Sequence, residues 1–278
     1  MTTQFVPTHI RSAIEVVATD RDRTVTERDA FARFADRISG LDVSSVDLNA
    51  DYSQQPPAQT LVAPASAATE SQLARAREIY RETIMSVPHY TKDYDDSLPE
   101  SLAKEFGPEV ATAMTIGDHL TPHLRDRLIE ATDEARDSRH AFLQGLNREH
   151  SALEAAEEDL TRLGTDLGDI LSARSFDSWT NEDLVVARDH LHAHDRECDQ
   201  LAADRQATLH EQRVPGTHRV DIEFTAYLYG SLSVTYPVLT DIASLAKTLH
   251  TARHDVERAL DSRNIDDVRT AADLSNKR

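Results

Sequence analysis

Leu146, Leu153, Leu160 and Leu167 stand seven residues apart, inside a stretch from Arg125 to Val214 that holds no proline. Three of the four have an apolar residue three positions on, namely Ala156, Leu163 and Ile170. That 3,4 alternation is the seam of a coiled coil, and it confines this part of the chain to long helices that bury one narrow stripe. Upstream, Thr121 followed by Pro122 is a capping residue with a first-turn proline. Apolar or small residues then recur at 124, 128, 131, 135, 138, 142 and 146. The spacing predicts one helix of ~50 residues, ~75 Å at ~1.5 Å per residue, with a single 4,4 step around Phe142 as a stutter.

A partner for the seam lies in the same chain. The pattern breaks from Ser172 to Trp179, and Thr180 or Asn181 ahead of Glu182 and Asp183 reads as a helix start. Leu184, Ala187, Leu191, His194, Cys198, Leu201 and Thr208 keep the 3,4 spacing, with Arg205 the one charged intruder. A connection this short makes the neighbours antiparallel. The expected seam therefore joins Leu146, Leu153, Leu160, Leu163 and Leu167 to Leu184, Leu191, Cys198 and Leu201. The proximal part of the long helix, Leu124 to Phe142, is expected to lie beyond the reach of the return arm.

The remaining segments also read as helical. Thr8 opens a helix carrying Ile10, Ile14, Val17, Phe31, Ala35 and Ile38, and Gly40 stops it; its middle, Asp20 to Arg28, is polar and expected to face solvent. Residues 69–86 place Leu73, Ala76, Tyr80 and Ile84 on one stripe, and two short helices follow at Pro99–Phe106 and Pro108–Ile116. A short Ile222–Tyr229 segment precedes a last helix with Val238, Ile242, Leu245, Leu249, Ala252, Val256 and Leu260. The expected fold is all-α, an elongated antiparallel coiled-coil hairpin with a small helical base. The expected organisation is an N-terminal helix over 1–40, a Pro/Ser/Gln-rich linker over 41–68, a helical domain over 69–263 and a polar tail over 264–278. Within that domain the hairpin takes about 135–213, and the base gathers 69–120 with 220–263.

The chain carries 49 acidic residues against 30 basic ones, of which only four are lysine, for a net charge of −19. Acidic surplus with arginine kept and lysine scarce is the surface expected in molar salt, where the Debye length is ~3 Å and self-repulsion is screened. Under that screening the charge says little about partners; nucleic acid is not an expected one because the arginines interleave with acids throughout. Cys198 is the only cysteine, which excludes an intramolecular disulfide and suits a reducing cytoplasm. No apolar run approaches the ~20 residues that cross a bilayer, so no membrane association is expected.

Chemistry-bearing candidates are few. Six of the seven tyrosines fall in two clusters, Tyr80, Tyr90 and Tyr94, and Tyr227, Tyr229 and Tyr236. With His89 and Asp95 they could line a ligand or partner pocket in the base; the alternative is an aromatic mini-core. His190 and His194, and His250 and His254, share helix faces at chelating spacing, yet no Glu-x-x-His or His-Glu-x-x-His occurs. These histidines read as solvated faces, and neither metal nor cofactor is expected. Cys198 sits at a seam position, where a thiol is a small buried hydrophobe. Gly164 and Gly168 cost the long helix about 1 kcal/mol each, which suggests a close approach or a kink. No catalytic role is assigned. Arginines at 75, 77, 81, 125, 127, 136 and 139 interleave with acids, as the flanking charges of a coiled coil do.

Two blocks carry a resemblance: IYRETIMSVPHYTKDYDDSLPESLAKEFGPEVATAMTIGDHLTP, from Ile79 to Pro122, and IEFTAYLYGSLSVTYPVL, from Ile222 to Leu239. They resemble a family of uncharacterised haloarchaeal coiled-coil proteins over about residues 70–263. The resemblance implies halophilic origin and domain extent and transfers no functional residue. The leading expectation is a cytoplasmic interaction or scaffold protein that binds a protein partner or self-associates through uncovered seam. The alternatives are a DNA-associated regulator using the helices of 98–130, and an enzyme or ligand binder using the tyrosine-rich base.

Overall fold

The computed structural model describes residues 5–43, 65–172, 179–211 and 224–275. Among these the chain is all-α, with no strand. Its helices are α1 (Thr8–Ser39), α2 (Ala65–Thr83), α3 (Tyr90–Asp93), α4 (Leu98–Ile116), α5 (Pro122–Ser172), α6 (Asn181–Glu211), α7 (Phe224–Tyr229) and α8 (Pro237–Ser275). Two compact units emerge from the contacts, one of residues 1–19 and 146–278 and the other of residues 20–145. The division falls inside α1 and α5; residues 44–64 of the expected linker over 41–68 lie outside the described residues.

In the first unit the distal part of α5 runs antiparallel to α6. Glu149 meets Arg205, Arg162 meets Glu197, and Asp166 lies 3.9 Å from His194, so partners descend along α6 as they ascend along α5. Leu146, Leu153, Leu160, Leu163, Leu167, Leu184, Leu191 and Cys198 are all 2% exposed or less. Each buried leucine contributes about 1.5–3 kcal/mol of transfer free energy. Leu201 is only half-buried. A capping box starts α6: the Asp183 N–H donates to Thr180 Oγ1 at 3.1 Å, and the Thr180 N–H donates to Asp183 Oδ2 at 2.9 Å. The neighbour of α6 on its other side is α8, joined by Arg253 and Asp195 at 2.7 Å, with Val238, Ile242, Leu245, Leu249, Ala252 and Val256 buried. The helix continues to Ser275, past the polar boundary expected at residue 264.

The first turns of α1 complete this unit. Ile10, Ala13 and Val17 are buried, and Arg11 pairs with Glu157 at 2.6 Å. The Ile10 N–H donates to the buried carboxylate of Asp241 at 2.9 Å, which satisfies one of the open donors at the helix start from a residue on α8. Phe5 rests on Gly164: a Cβ at that glycine would stand 2.8 Å from the Phe5 side chain. Close approach is thus the use of Gly164, while a Cβ at Gly168 would meet nothing within 4 Å.

The second unit is built on an aromatic core. Phe31, Phe34, Tyr80 and Phe106 pack with ring centroids 5.5–6.1 Å apart, mostly edge to face. Around them lie Ile38, Leu73, Ala76, Ile79, Leu102, Met114, Leu120 and the proximal residues of α5, Leu124, Leu128, Ala131 and Ala135. That proximal stretch was expected to lie uncovered; its own unit buries it, because α1, α2 and α4 supply the apolar faces it needs. The stripe also passes through Leu143, 6% exposed, while Phe142 is half-buried, so the expected step at Phe142 is displaced by one residue. The two short helices expected at 99–116 follow one another within α4. Gly107, at φ 84, supplies the left-handed break between them, which a residue with a Cβ would adopt only under strain. Arg77 of α2 donates to the Met114 carbonyl and, at 3.0 Å, to that of Gly117, closing the open C-terminus of α4.

Candidate functional site

Among the described residues each unit holds a charged centre that joins its helices. In the second unit it is centred on Glu27 of α1, inside the polar stretch expected to face solvent. Glu27 Oε1 accepts the Tyr94 hydroxyl at 2.8 Å and shares a hydrogen bond with His89 Nε2 at 2.9 Å; Oε2 accepts Arg139 Nε at 3.3 Å. Arg139 of α5 donates its two terminal nitrogens to Glu105 of α4 at 2.8 and 2.9 Å, and its guanidinium lies 4.5 Å over the Phe31 ring. This fork-to-carboxylate geometry, with cation–π contact behind it, is what a planar guanidinium does best. The Tyr94 hydroxyl is raised above its ordinary pKa by burial, reinforced by the Glu27 charge, so it stays a donor at neutral pH. The centre thereby ties α1, α3, α4 and α5 together.

The candidate residues from the tyrosine pattern occupy different places here. Tyr80 is fully buried in the core, and its hydroxyl pairs with Ser101 Oγ at 2.9 Å. Tyr90 is 7% exposed, its ring tilted 45° to that of Tyr94 at 5.6 Å, and its hydroxyl has no hydrogen-bond partner among the described residues. His89 and Tyr94 join the Glu27 centre. Asp95 ends α3 in the left-handed region, φ 49, a conformation that Asp tolerates better than most residues.

In the first unit the charge is sealed. Glu149 sits three residues after Leu146, the one seam leucine whose partner position is not apolar, and it is 1% exposed. Arg205, the charged intruder of α6, donates to its two oxygens at 3.1 and 2.6 Å while 8% exposed. The buried Tyr229 hydroxyl of α7 donates to the same carboxylate. Burial and the Glu149 charge hold Tyr229 protonated. Two flaws, one in each half of the seam, therefore face each other. Tyr229 closes the pair, whereas Tyr227 and Tyr236, of the same sequence cluster, are 55% and 45% exposed. The two tyrosine clusters belong to different units.

Other candidates have plain settings. Burial raises the Cys198 thiol to about 11, which leaves it unreactive in the folded chain. Among the described residues no group of three or more His, Cys, Asp or Glu is arranged to hold a metal ion, and no helix is long and apolar enough to cross a membrane. Arg127 pairs with Glu130, Arg136 with Asp133 and Arg125 with Asp126, so these arginines serve neighbouring acids of their own helix.

Compared with known proteins, residues 8–253 match the model of a family described as Domain of unknown function (DUF7260). The match reaches back to residue 8, well before the start near residue 70 suggested by the two quoted blocks, and includes all of α1. No curated protein and no solved structure matches the chain.

Proposed function

We propose that this chain, which belongs to the family described as Domain of unknown function (DUF7260), is a helical interaction scaffold working in the cytoplasm of a halophile. The observation that carries this reading is the 51-residue α5. Its inward positions are filled by the chain itself in both units, and its outward positions are rich in charge, several of them paired along the helix, such as Arg127 with Glu130, Arg136 with Asp133 and Arg162 with Asp159. Both of the charge centres found join helices to one another: every donor of Arg139 and Arg205 that is assigned reaches a carboxylate of the same unit. A chain that spends its polar chemistry on helix contacts offers helical faces for recognition.

A DNA-associated role for 98–130 gains no support from the arginines there, since those of early α5 are matched by acids. A net charge of −19 with four lysines supports the halophilic setting, where screening at ~3 Å leaves recognition to shape and short-range contacts.

Light scattering and chemical crosslinking of the purified chain in molar KCl test the proposal. A defined homo-oligomer, or a stoichiometric complex with a protein copurifying at that salt, is the expected result. A strict monomer at all concentrations that retains no protein overturns it. A circular dichroism titration against KCl tests the setting: the chain should reach full helicity only toward molar salt.

A further inference from the structure

We propose that the Glu149–Arg205 pair, closed by Tyr229, is the register lock of the α5–α6 hairpin: it selects one of several pairings that the heptad pattern alone would permit. The buried ladder of α6 is Leu184, Leu191, Cys198 and Arg205, and that of α5 is Leu146, Leu153, Leu160 and Leu167, both with a period of seven. Sliding one helix past the other by seven residues returns apolar side chains to apolar neighbours almost everywhere. Apolar seams of this kind specify register weakly, and a single polar position is the device that distinguishes registers. Among the described seam residues only Glu149 and Arg205 are charged, and they meet in one register alone. A slip of one heptad one way sets Glu149 against Cys198; the opposite slip sets Arg205 against Ala156. Either leaves a charge buried without its counter-ion, a state that interiors do not tolerate. Tyr229 of α7 donates to the same carboxylate, giving Glu149 a second partner beside Arg205.

The test uses the full chain with Cys198→Ala, so that introduced cysteines are the only thiols. Arg162 and Glu197 face each other across the seam, and R162C/E197C therefore reports the native register by disulfide formation. R162C/H190C and R162C/D204C report slips of one heptad in the two directions. In the otherwise unaltered chain only the first pair should close. In the E149L/R205L background the chain should keep its helicity by circular dichroism while one of the slipped pairs closes beside the native pair. Native-only closure at full helicity in that background overturns the proposal. Should E149L/R205L lose helicity, the reversed pair E149R/R205E decides: native-only closure supports the lock, and loss of the native crosslink overturns it.

Discussion

Glu149 and Glu27 each hold an arginine against a neighbouring helix, in opposite surroundings. Glu149 and Arg205 are 1% and 8% exposed and stand one to one, with a neutral tyrosine as the third member. Glu27, Arg139 and Glu105 are 15%, 18% and 21% exposed, and one guanidinium serves two carboxylates. A sealed site must balance its charge within itself, because no solvent is present to absorb a surplus. A half-open site tolerates the extra carboxylate, and there His89 and Tyr94 share the load. The same pair of residue types thus acts as an all-or-none fixture in one unit and as an adjustable bracket in the other.

The comparison is broken most directly at Arg205. R205L strands a buried carboxylate and should destabilise the chain by about 3–5 kcal/mol, whereas E149L/R205L should cost far less than the sum of the two single changes. Denaturant unfolding measures both; a cost below about 1 kcal/mol for R205L would show that the site is wetter than its burial implies. At Arg139, R139A should cost about 2 kcal/mol, from charged hydrogen bonds at a position 18% exposed. Its cost should shrink as KCl is raised, while that of R205L should not. The tyrosines sharpen the contrast further. Y229F removes a donor from a sealed carboxylate and should cost about 1–2 kcal/mol, against a few tenths for Y94F, whose ring is 42% exposed.

Asp241 extends the comparison to a buried carboxylate that holds a helix start, accepting the Ile10 N–H at 2.9 Å. Burial raises its pKa, partly offset by the Ile10 N–H and by His9. The folded chain therefore holds this proton more firmly than the unfolded chain, and the group subtracts stability as pH climbs above the ordinary carboxylate range. D241A should cost about 0.5–2 kcal/mol through the lost cap. D241N, which keeps an acceptor, should cost less and flatten that pH slope in unfolding experiments between acid and neutral pH.

Much of the helical architecture was legible in the sequence because periodicity and caps are local. Thr121, Thr180 and Gly107 with Pro108 mark helix ends or breaks by their own chemistry. The charge centres were half-visible. Glu149 interrupts the apolar partners of the leucine ladder and Arg205 interrupts the return arm, so each stood out alone; that they pair is a fact of register, which a repeating pattern leaves open. The Glu27 centre was hidden, since Glu27, His89, Glu105 and Arg139 lie on separate elements up to 112 residues apart, and no local signal marks a half-buried glutamate in a charged stretch. Tyr80 was read as a site candidate because its periodicity fits a core position and a pocket wall equally well.

The bond between Ile10 and Asp241 spans 231 residues, and it has a consequence in time. A ribosome adding about 5–20 residues per second exposes the beginning of α1 roughly ten to fifty seconds before the residue that caps it exists. For that interval the first turn of α1 must be held by water or by its neighbours, and Ile10, Ala13 and Val17 await the helices that will cover them. The start of α1 is thus made well before α8 and finished only with it. A nascent chain stalled before α8 should leave its first helix open to proteolysis, while one stalled after Asp241 should not.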